Sequence, residues 1–378
     1  MIDFSLTAEQ QSVLDTIDVF LDRRLPPDEV RRRDREHVGP YDLLGDLAEI
    51  GVLGLPFAAE YGGLAQPWVT LALVQERLAR RAYFSASIVS RVVAFGGMSL
   101  VLYGSSEQRD RLLPELIGGR ALVALALSEP EAGSDAGAIT TRATPTDTGW
   151  CIRGRKTWIS DADAATHLLV PARTPGGGTS ISAFLVPRAT PGISMTRLEK
   201  VGNHCMASFE IGFDEVEVGR CALMGEEGRG LQHVLSTLAY SRASLAAAAT
   251  GTAQAAVDIA VAHARERHQF GRPIGANQVI RHRLADMQMR VDQARWASMH
   301  LAWLISEGSA SRRHAAQAKV IASEALQYVA RHGMHILASA GYSDESDMQR
   351  IWRDAQLSSF GEGSNEIQRD IIGRELGL

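Results

Sequence analysis

Apolar residues follow three successive rhythms along this chain. From Thr7 to Leu25 they recur at Val13, Leu14, Ile17, Phe20 and Leu21, a helical stripe that ends at Pro26-Pro27. Helical spacing returns over Tyr41 to Ile50, Val69 to Arg80 and Gln108 to Leu116, with Glu60-Tyr61-Gly62-Gly63 as a turn between them. Near Ala121 the pattern shortens. Trp150 to Arg153, His167 to Val170, Ile181 to Val186 and Phe209 to Phe213 are β-prone runs separated by turn-formers such as Pro175-Gly176-Gly177-Gly178, which reads as a hairpin turn. Their spacing predicts a compact antiparallel sheet or barrel. Beyond Gly225-Glu226-Glu227-Gly228-Arg229-Gly230, read as a hinge, long helices resume. Ile280, Leu284, Met287, Val291, Ala294, Ser298, Leu301 and Ile305 alternate steps of four and three on one seam, and a further helix is expected from about His314 to Leu337. The expectation is an α+β chain with a helical N-terminal domain over 1–120, a middle antiparallel β domain over 121–225 and a C-terminal helix-bundle domain over 226–378.

Composition narrows the function classes. At 378 residues, 45% hydrophobic and 22% charged, the chain has the balance of a soluble globular protein of two or three domains. A net charge of -5 gives no reason to expect nucleic acid as a partner, and Arg23-Arg24, Arg31-Arg32-Arg33 and Arg80-Arg81 read as solvated helix faces. Cys151, Cys205 and Cys221 lie far apart and form no CxxC, which disfavours a disulfide framework or thiolate zinc site and fits a reducing cytoplasm. Met1-Ile2-Asp3-Phe4 lacks the basic start and apolar core of a secretion signal. Ser244 to Ala264 is alanine-rich but broken by Thr250, Gly251, Thr252, Gln254 and Asp258, so it reads as a helix buried in protein; no membrane association is expected. No GxGxxG joins a strand to a helix, and Gly225 to Gly230 lacks the Lys-Ser/Thr pair of a phosphate loop. His332 and His335 have metal-compatible spacing but no carboxylate or cysteine in register, so a structural use is expected and no metal site.

Four separated stretches carry chemistry. They are Ala126-Leu127-Ser128-Glu129-Pro130-Glu131-Ala132-Gly133-Ser134-Asp135, Lys156-Thr157-Trp158-Ile159-Ser160, Arg267-His268-Gln269-Phe270-Gly271-Arg272-Pro273-Ile274 with Gln278 and Leu284-Ala285-Asp286-Met287, and Glu362-Gly363-Ser364-Asn365-Glu366-Ile367-Gln368. In order and spacing they resemble the motifs of the acyl-CoA dehydrogenase family over almost the whole chain. The resemblance implies a helical N-terminal domain, a middle β domain and a C-terminal four-helix bundle. It also implies FAD bound between the last two and reaching a neighbouring subunit, so a homodimer or homotetramer is expected.

Residue by residue, Leu127 and Ser128 match positions that bond the flavin ring, and Ser134 one that also touches the acyl thioester. Trp158 matches a residue packed on the flavin; read alone, it is core filler. Ile159 belongs to the same strand element, and Ser160 matches a hydroxyl near the reactive nitrogen. Arg267, Phe270 and Gln278 match residues that hold the adenosine diphosphate end of the FAD of the other subunit, a task that suits a forked guanidinium. Ser364 and Glu366 fall where the terminal motif contacts FAD, or serve only the helix start. Arg242 matches a position near the mouth of the substrate site. His335 to Tyr342 departs from the glutamine and glycine pair that many relatives set against the FAD diphosphate.

Glu362, held between glycines on a turn with little side-chain cover, matches the catalytic base. Dehydrogenation of a saturated acyl thioester removes an α-proton together with a β-hydride, and a desolvated carboxylate is the stronger base for the first. Some relatives carry the base on the helix of Ser241; serine cannot act so, which leaves Glu362. The implied activity is FAD-dependent α,β-dehydrogenation of an acyl thioester carried by CoA or by an acyl-carrier protein, with electron-transfer flavoprotein as acceptor. Leu337 to Gly341 and Ser236 to Arg242 look like the acyl-carrier-protein dehydrogenases of polyketide and nonribosomal peptide assembly. Alternatives on the same fold are a flavin-dependent monooxygenase or oxidase and a non-catalytic flavin-binding relative.

Overall fold

A computed structural model describes residues 5–177 and 180–378. The readings made on Met1 to Phe4 and on Gly178 lie outside the described residues. Among the described residues seven α-helices come first: α1 (Ala8–Arg24), α2 (Pro27–Glu36), α3 (Leu44–Glu49), α4 (Trp68–Arg81), α5 (Tyr83–Ser90), α6 (Met98–Tyr103) and α7 (Ser106–Ile117). Helix α1 starts on a capping box in which Thr7 and Gln10 satisfy each other's backbone amides, and Ser105 with Gln108 does the same for α7. The stretch Tyr41 to Ile50 is a 3-10 turn at Tyr41–Leu43 followed by the short α3.

The pattern missed α5, the π-helical segment Arg91–Gly97 and α6. This run is buried almost all round, from Phe84 to Leu100, and a helix without a polar face has no period to read. The arginine runs are also not plain solvated faces. Arg33 is 4% exposed and bonds Glu29 and Asp42, Arg31 bonds Asp28 and Asp347, and Arg32 bonds Glu29 and Glu36.

The middle layer is a sheet ordered β6-β7-β3-β2-β4-β5-β8, made from β1 (Val123–Leu125), β2 (Arg142–Pro145), β3 (Gly149–Ser160), β4 (His167–Arg173), β5 (Ile181–Pro187), β6 (Ile193–Leu198), β7 (Ser208–Gly219) and β8 (Leu223–Met224). The antiparallel expectation holds for most pairs, but β1 joins β4 in parallel and β2 meets β4 in parallel at Arg142 and Arg173. The reason is connectivity: β4 is not the next strand after either β1 or β2, so no tight hairpin forces these pairs to be antiparallel.

Helix α8 (Gly230–Glu266) then runs 37 residues, followed by the two-residue strands β9 (His268–Gln269) and β10 (Arg272–Pro273) and by α9 (Gln278–Ser306), α10 (Arg312–Leu337), α11 (Asp347–Ala355) and α12 (Asn365–Glu375). The bundle is α8, α9 and α10 with α12 as a shorter fourth member on α10. Its core takes Met287, Val291, Ala294 and Leu301 from α9; Ile280, Leu284 and Ile305 of the same seam are partly buried against it. From α8 it takes Ala246, Ala249, Ala253, Ala256 and Ala260, and side chains this small let axes approach closely. The two long apolar helical stretches, Tyr83–Tyr103 and Gly230–Glu266, are mostly buried within the protein.

On its other side α8 crosses α4 at Gly251, where an added Cβ would lie 2.1 Å from the Glu76 carbonyl oxygen. Since that obstacle is backbone, Gly251→Ala is expected to destabilise the fold by about 1–3 kcal/mol despite alanine's higher helix propensity. Urea unfolding of the two proteins measures it, and an unchanged or raised midpoint contradicts this packing.

Candidate active site

The last turn before α12 is shaped by backbone strain and by three anchors. Glu362 has φ +58 and Gly363 φ +91, and a left-handed glutamate costs on the order of 1–3 kcal/mol unless its surroundings hold it. Arg242, 6% exposed on α8, donates from Nε and Nη2 to the Glu362 carbonyl at 3.3 and 3.2 Å. Gln368 Nε2 reaches the same oxygen at 3.4 Å. Lys319 of α10, fully buried, donates to the Ser359 carbonyl at 3.2 Å and to Asn365 Oδ1 at 2.8 Å, so one ammonium ties both flanks of the turn. Burial holds that lysine down at about 8.

Glu362 is half-buried, with its carboxyl turned toward α8. Ser241 Oγ donates to Glu362 Oε2 at 2.8 Å. Desolvation raises the carboxyl pKa above its ordinary value, and the Ser241 hydrogen bond and the charges of Arg91, Arg242 and Lys319 oppose that rise without cancelling it. The result is a carboxylate more basic than one in water, fixed in direction.

Toward the β domain, Glu129 and Lys156 form a buried pair at 2.8 Å, 4% and 0% exposed. Glu129 also accepts from the Thr140 amide and hydroxyl and the Thr141 amide, and Lys156 donates to the Leu127 carbonyl at 3.1 Å. Together with the Thr157 amide on the Ser128 carbonyl, this pins Leu127 and Ser128 to β3. The pairing of β3 with β7 slips between Lys156 and Ile159, and Trp158, at φ +59, turns out of the sheet with 59% of its surface exposed. A bulge re-aims a side chain in this way. Ile159 is 2% exposed inside the sheet core, so it offers a ligand only its main chain. Ser160 is half-buried and Ser134 exposed. An outward indole beside Leu127 and the hydroxyls of Ser128 and Ser160 fits a flat, hydrogen-bonding ring system such as a flavin.

The other predicted residues divide. Ser364 caps α12 through its hydroxyl on the Ile367 amide, and Glu366 is exposed in the first turn, so both serve the helix start. Arg267, Phe270 and Gln278 are exposed beyond the far end of α8, whose stretch from Arg242 to Glu266 spans roughly 36 Å, so the chain does not bring them to Glu362. Phe270 is 98% exposed at φ +53. Arg242 is committed to the Glu362 backbone instead of opening toward solvent. Ala338, in the segment that departs from the family pattern, has φ 50 and ψ −129, a conformation that suits glycine. Among the described residues no three His, Cys, Asp or Glu side chains group as metal ligands.

The sequence pattern gives Glu129 and Lys156 no role and no sign of Lys319 or Arg91. The available signal was only a charged residue at a core-facing helix position, as at Lys319.

Two outcomes test this geometry. Removing the hydrogen bond that lowers the Glu362 pKa, by Ser241→Ala, is expected to displace the pH profile of its proton-transfer step to higher pH; an unmoved profile removes the contact from function. Lys156→Met leaves a buried carboxylate unpaired and is expected to cost about 3–5 kcal/mol by urea unfolding. Against its burial, Lys156 and the threonine hydrogen bonds hold Glu129 down at about 2, so the contribution of that carboxylate is present above the ordinary carboxylate range and fades as pH falls toward about 2, while burial lowers Lys156 to about 8 and the ion pair is intact only below that.

Known proteins resemble this chain over nearly its whole length. Models of the acyl-CoA dehydrogenase N-terminal, middle and C-terminal domains match residues 7–120, 124–216 and 228–377. Probable acyl-CoA dehydrogenase YngJ of Bacillus subtilis is 36% identical over 99% of this chain and 100% of its own length. The structure of butyryl-CoA dehydrogenase from Megasphaera elsdenii superposes with a TM-score of 0.96 at 32% identity, covering 100% of both chains. At 26% identity and a TM-score of 0.94, the prolyl acyl carrier protein oxidase AnaB covers 99% of this chain and 100% of its own, and an FAD complex of PigA covers 100% of both. This chain belongs to the acyl-CoA dehydrogenase family.

Proposed function

We propose that the protein catalyses α,β-dehydrogenation of an acyl thioester with Glu362 as the base. The observation that carries this is the inward Glu362 carboxyl, made more basic by burial and aimed by Ser241. The cofactor is FAD, as in the flavin complexes of structural relatives. Leu127, Ser128, Trp158 and Ser160 would hold its ring, and Ser134 would lie against both ring and thioester. Bound there, FAD supplies an acceptor for the β-hydride. The rest belongs to the chain. Glu362 takes the α-proton, its amide would meet the carbonyl charge that develops, and the fixed carbonyl leaves the turn no freedom to swing away.

Arg267, Phe270 and Gln278 are read as the contribution of one subunit to the FAD of another. Their distance from Glu362 and the near-complete exposure of Phe270 support that reading, and with it a homo-oligomer. The acyl handle is CoA or a carrier protein; both kinds of relative stand close in fold. Electron-transfer flavoprotein is the expected acceptor.

Anaerobic mixing with acyl thioesters is the test. The oxidised flavin absorbance is expected to bleach without oxygen, and Glu362→Gln to slow that bleaching by about 10²–10⁴-fold while flavin content is kept. A reaction that needs oxygen, or equal rates in the variant, contradicts the proposal.

A further inference from the structure

Lys319 brings a full positive charge to hydrogen bonds that do not require one. Its side chain is 0% exposed, and Nζ donates to the Ser359 carbonyl at 3.2 Å and to Asn365 Oδ1 at 2.8 Å. Ser323, one turn further along the same face of α10, sets its hydroxyl 3.0 Å from the same Oδ1. Both acceptors are neutral. Among the described residues no carboxylate lies within 4 Å of Nζ.

Burying an ammonium without a counter-ion is costly, whereas a neutral glutamine has N–H groups enough for the same two acceptors. The charge itself therefore calls for an explanation, and its position supplies one. Ser359 stands three residues before Glu362 and Asn365 three after it, so one ammonium braces the turn from both ends.

The charges around this turn come from several elements. Glu362 is the carboxylate that most favours the charged form of Lys319, followed by Glu366 of α12 and Glu324 of α10, while Arg242 of α8 opposes it. In return, Lys319 joins Ser241, Arg91 and Arg242 in holding the Glu362 carboxyl below the level that desolvation alone would set. Tyr83, on which Glu362 also acts, is pushed up by burial and stays neutral. A lysine paired with its own carboxylate would act on Glu362 far less. Neutral acceptors fix the ammonium in place and leave its field free, in surroundings that screen it poorly.

We propose that Lys319 is a positioning residue for Glu362: its hydrogen bonds brace the turn, and its uncompensated charge keeps the Glu362 carboxyl ionised to accept the α-proton. This rests on the dehydrogenase reading above. Asn365 is the second member of the device, a neutral acceptor where a carboxylate would cancel the charge.

The test uses the flavin-loaded protein and follows anaerobic flavin reduction by saturated acyl-CoA and acyl-pantetheine thioesters as a function of pH. Lys319→Met removes a charge that favours the carboxylate. It is expected to move the profile up by about one pH unit, which on the acid limb is about a tenfold loss of rate. Lys319→Arg keeps the charge and should keep the position of the profile, even where its bulkier head lowers the rate. Asn365→Asp is close in shape and leaves the lysine in place. By pairing with Nζ it should move the profile in the same direction as Lys319→Met.

An unmoved profile in Asn365→Asp overturns the proposal, whether or not the lysine variants fold. So does a Lys319→Met protein that is slower by the same factor at every pH, since that is loss of shape alone, or a Lys319→Arg profile displaced as far as that of Lys319→Met. These results leave the dehydrogenase reading standing, because the wild-type flavin still bleaches. Absence of flavin reduction by every thioester in the wild-type protein defeats that reading and this proposal with it.

Discussion

Everything at the centre of this molecule depends on keeping one carboxyl group poorly solvated and pointed in one direction. Neither condition is free. Desolvating a carboxylate favours its protonated form, and a glutamate in the left-handed region resists its own backbone. Both costs are offset locally. Ser241 bonds the carboxyl, Arg242 and Gln368 hold the carbonyl behind it, and Lys319 secures the chain on either side through Ser359 and Asn365. Because Ser241 and Arg242 are neighbours on α8, a single helix fixes both ends of the Glu362 residue.

That requirement explains why the bundle is built as it is. Helix α8 must approach the C-terminal turn, cross α4 closely and pack along α9 and α10, and its alanines and Gly251 allow these approaches at once. At its N-terminal end Gly230 rests against Ser182 and Ala183 of β5, where a Cβ would fall 2.1 Å from the Ala183 nitrogen. The β domain is thereby placed against the same helix that anchors Glu362.

On the β side, the equivalent problem is to present an aromatic face and hydroxyls on a strand edge. The Glu129–Lys156 pair holds the loop of Leu127 and Ser128, and the slip in β3 pairing turns Trp158 outward. Asp161, a few residues on, carries the link to Tyr41 and Arg91 of the helical domain. All three domains therefore meet within a few side chains of Glu362.

Much of this was legible in the chain alone. Amphipathic periods marked α1, α4, α7, α9 and α10 because each has one wet face, and alternation with turn residues marked the strands. The terminal Glu-Gly-Ser run and the three other stretches pointed to the chemistry through their types and order. What the sequence could not reveal is what lies side by side without being near in number. Lys319 looks like any helical lysine until α12 covers it; Arg91 sits in a helix apolar all round, where no period exists; and Ser241 is 121 residues from the carboxyl it bonds. Local pattern decides which face of an element is apolar, since that depends on spacing within a few residues. Burial, and with it the raised pKa of Glu362, depends on which elements close over a group, and only the assembled tertiary structure decides that.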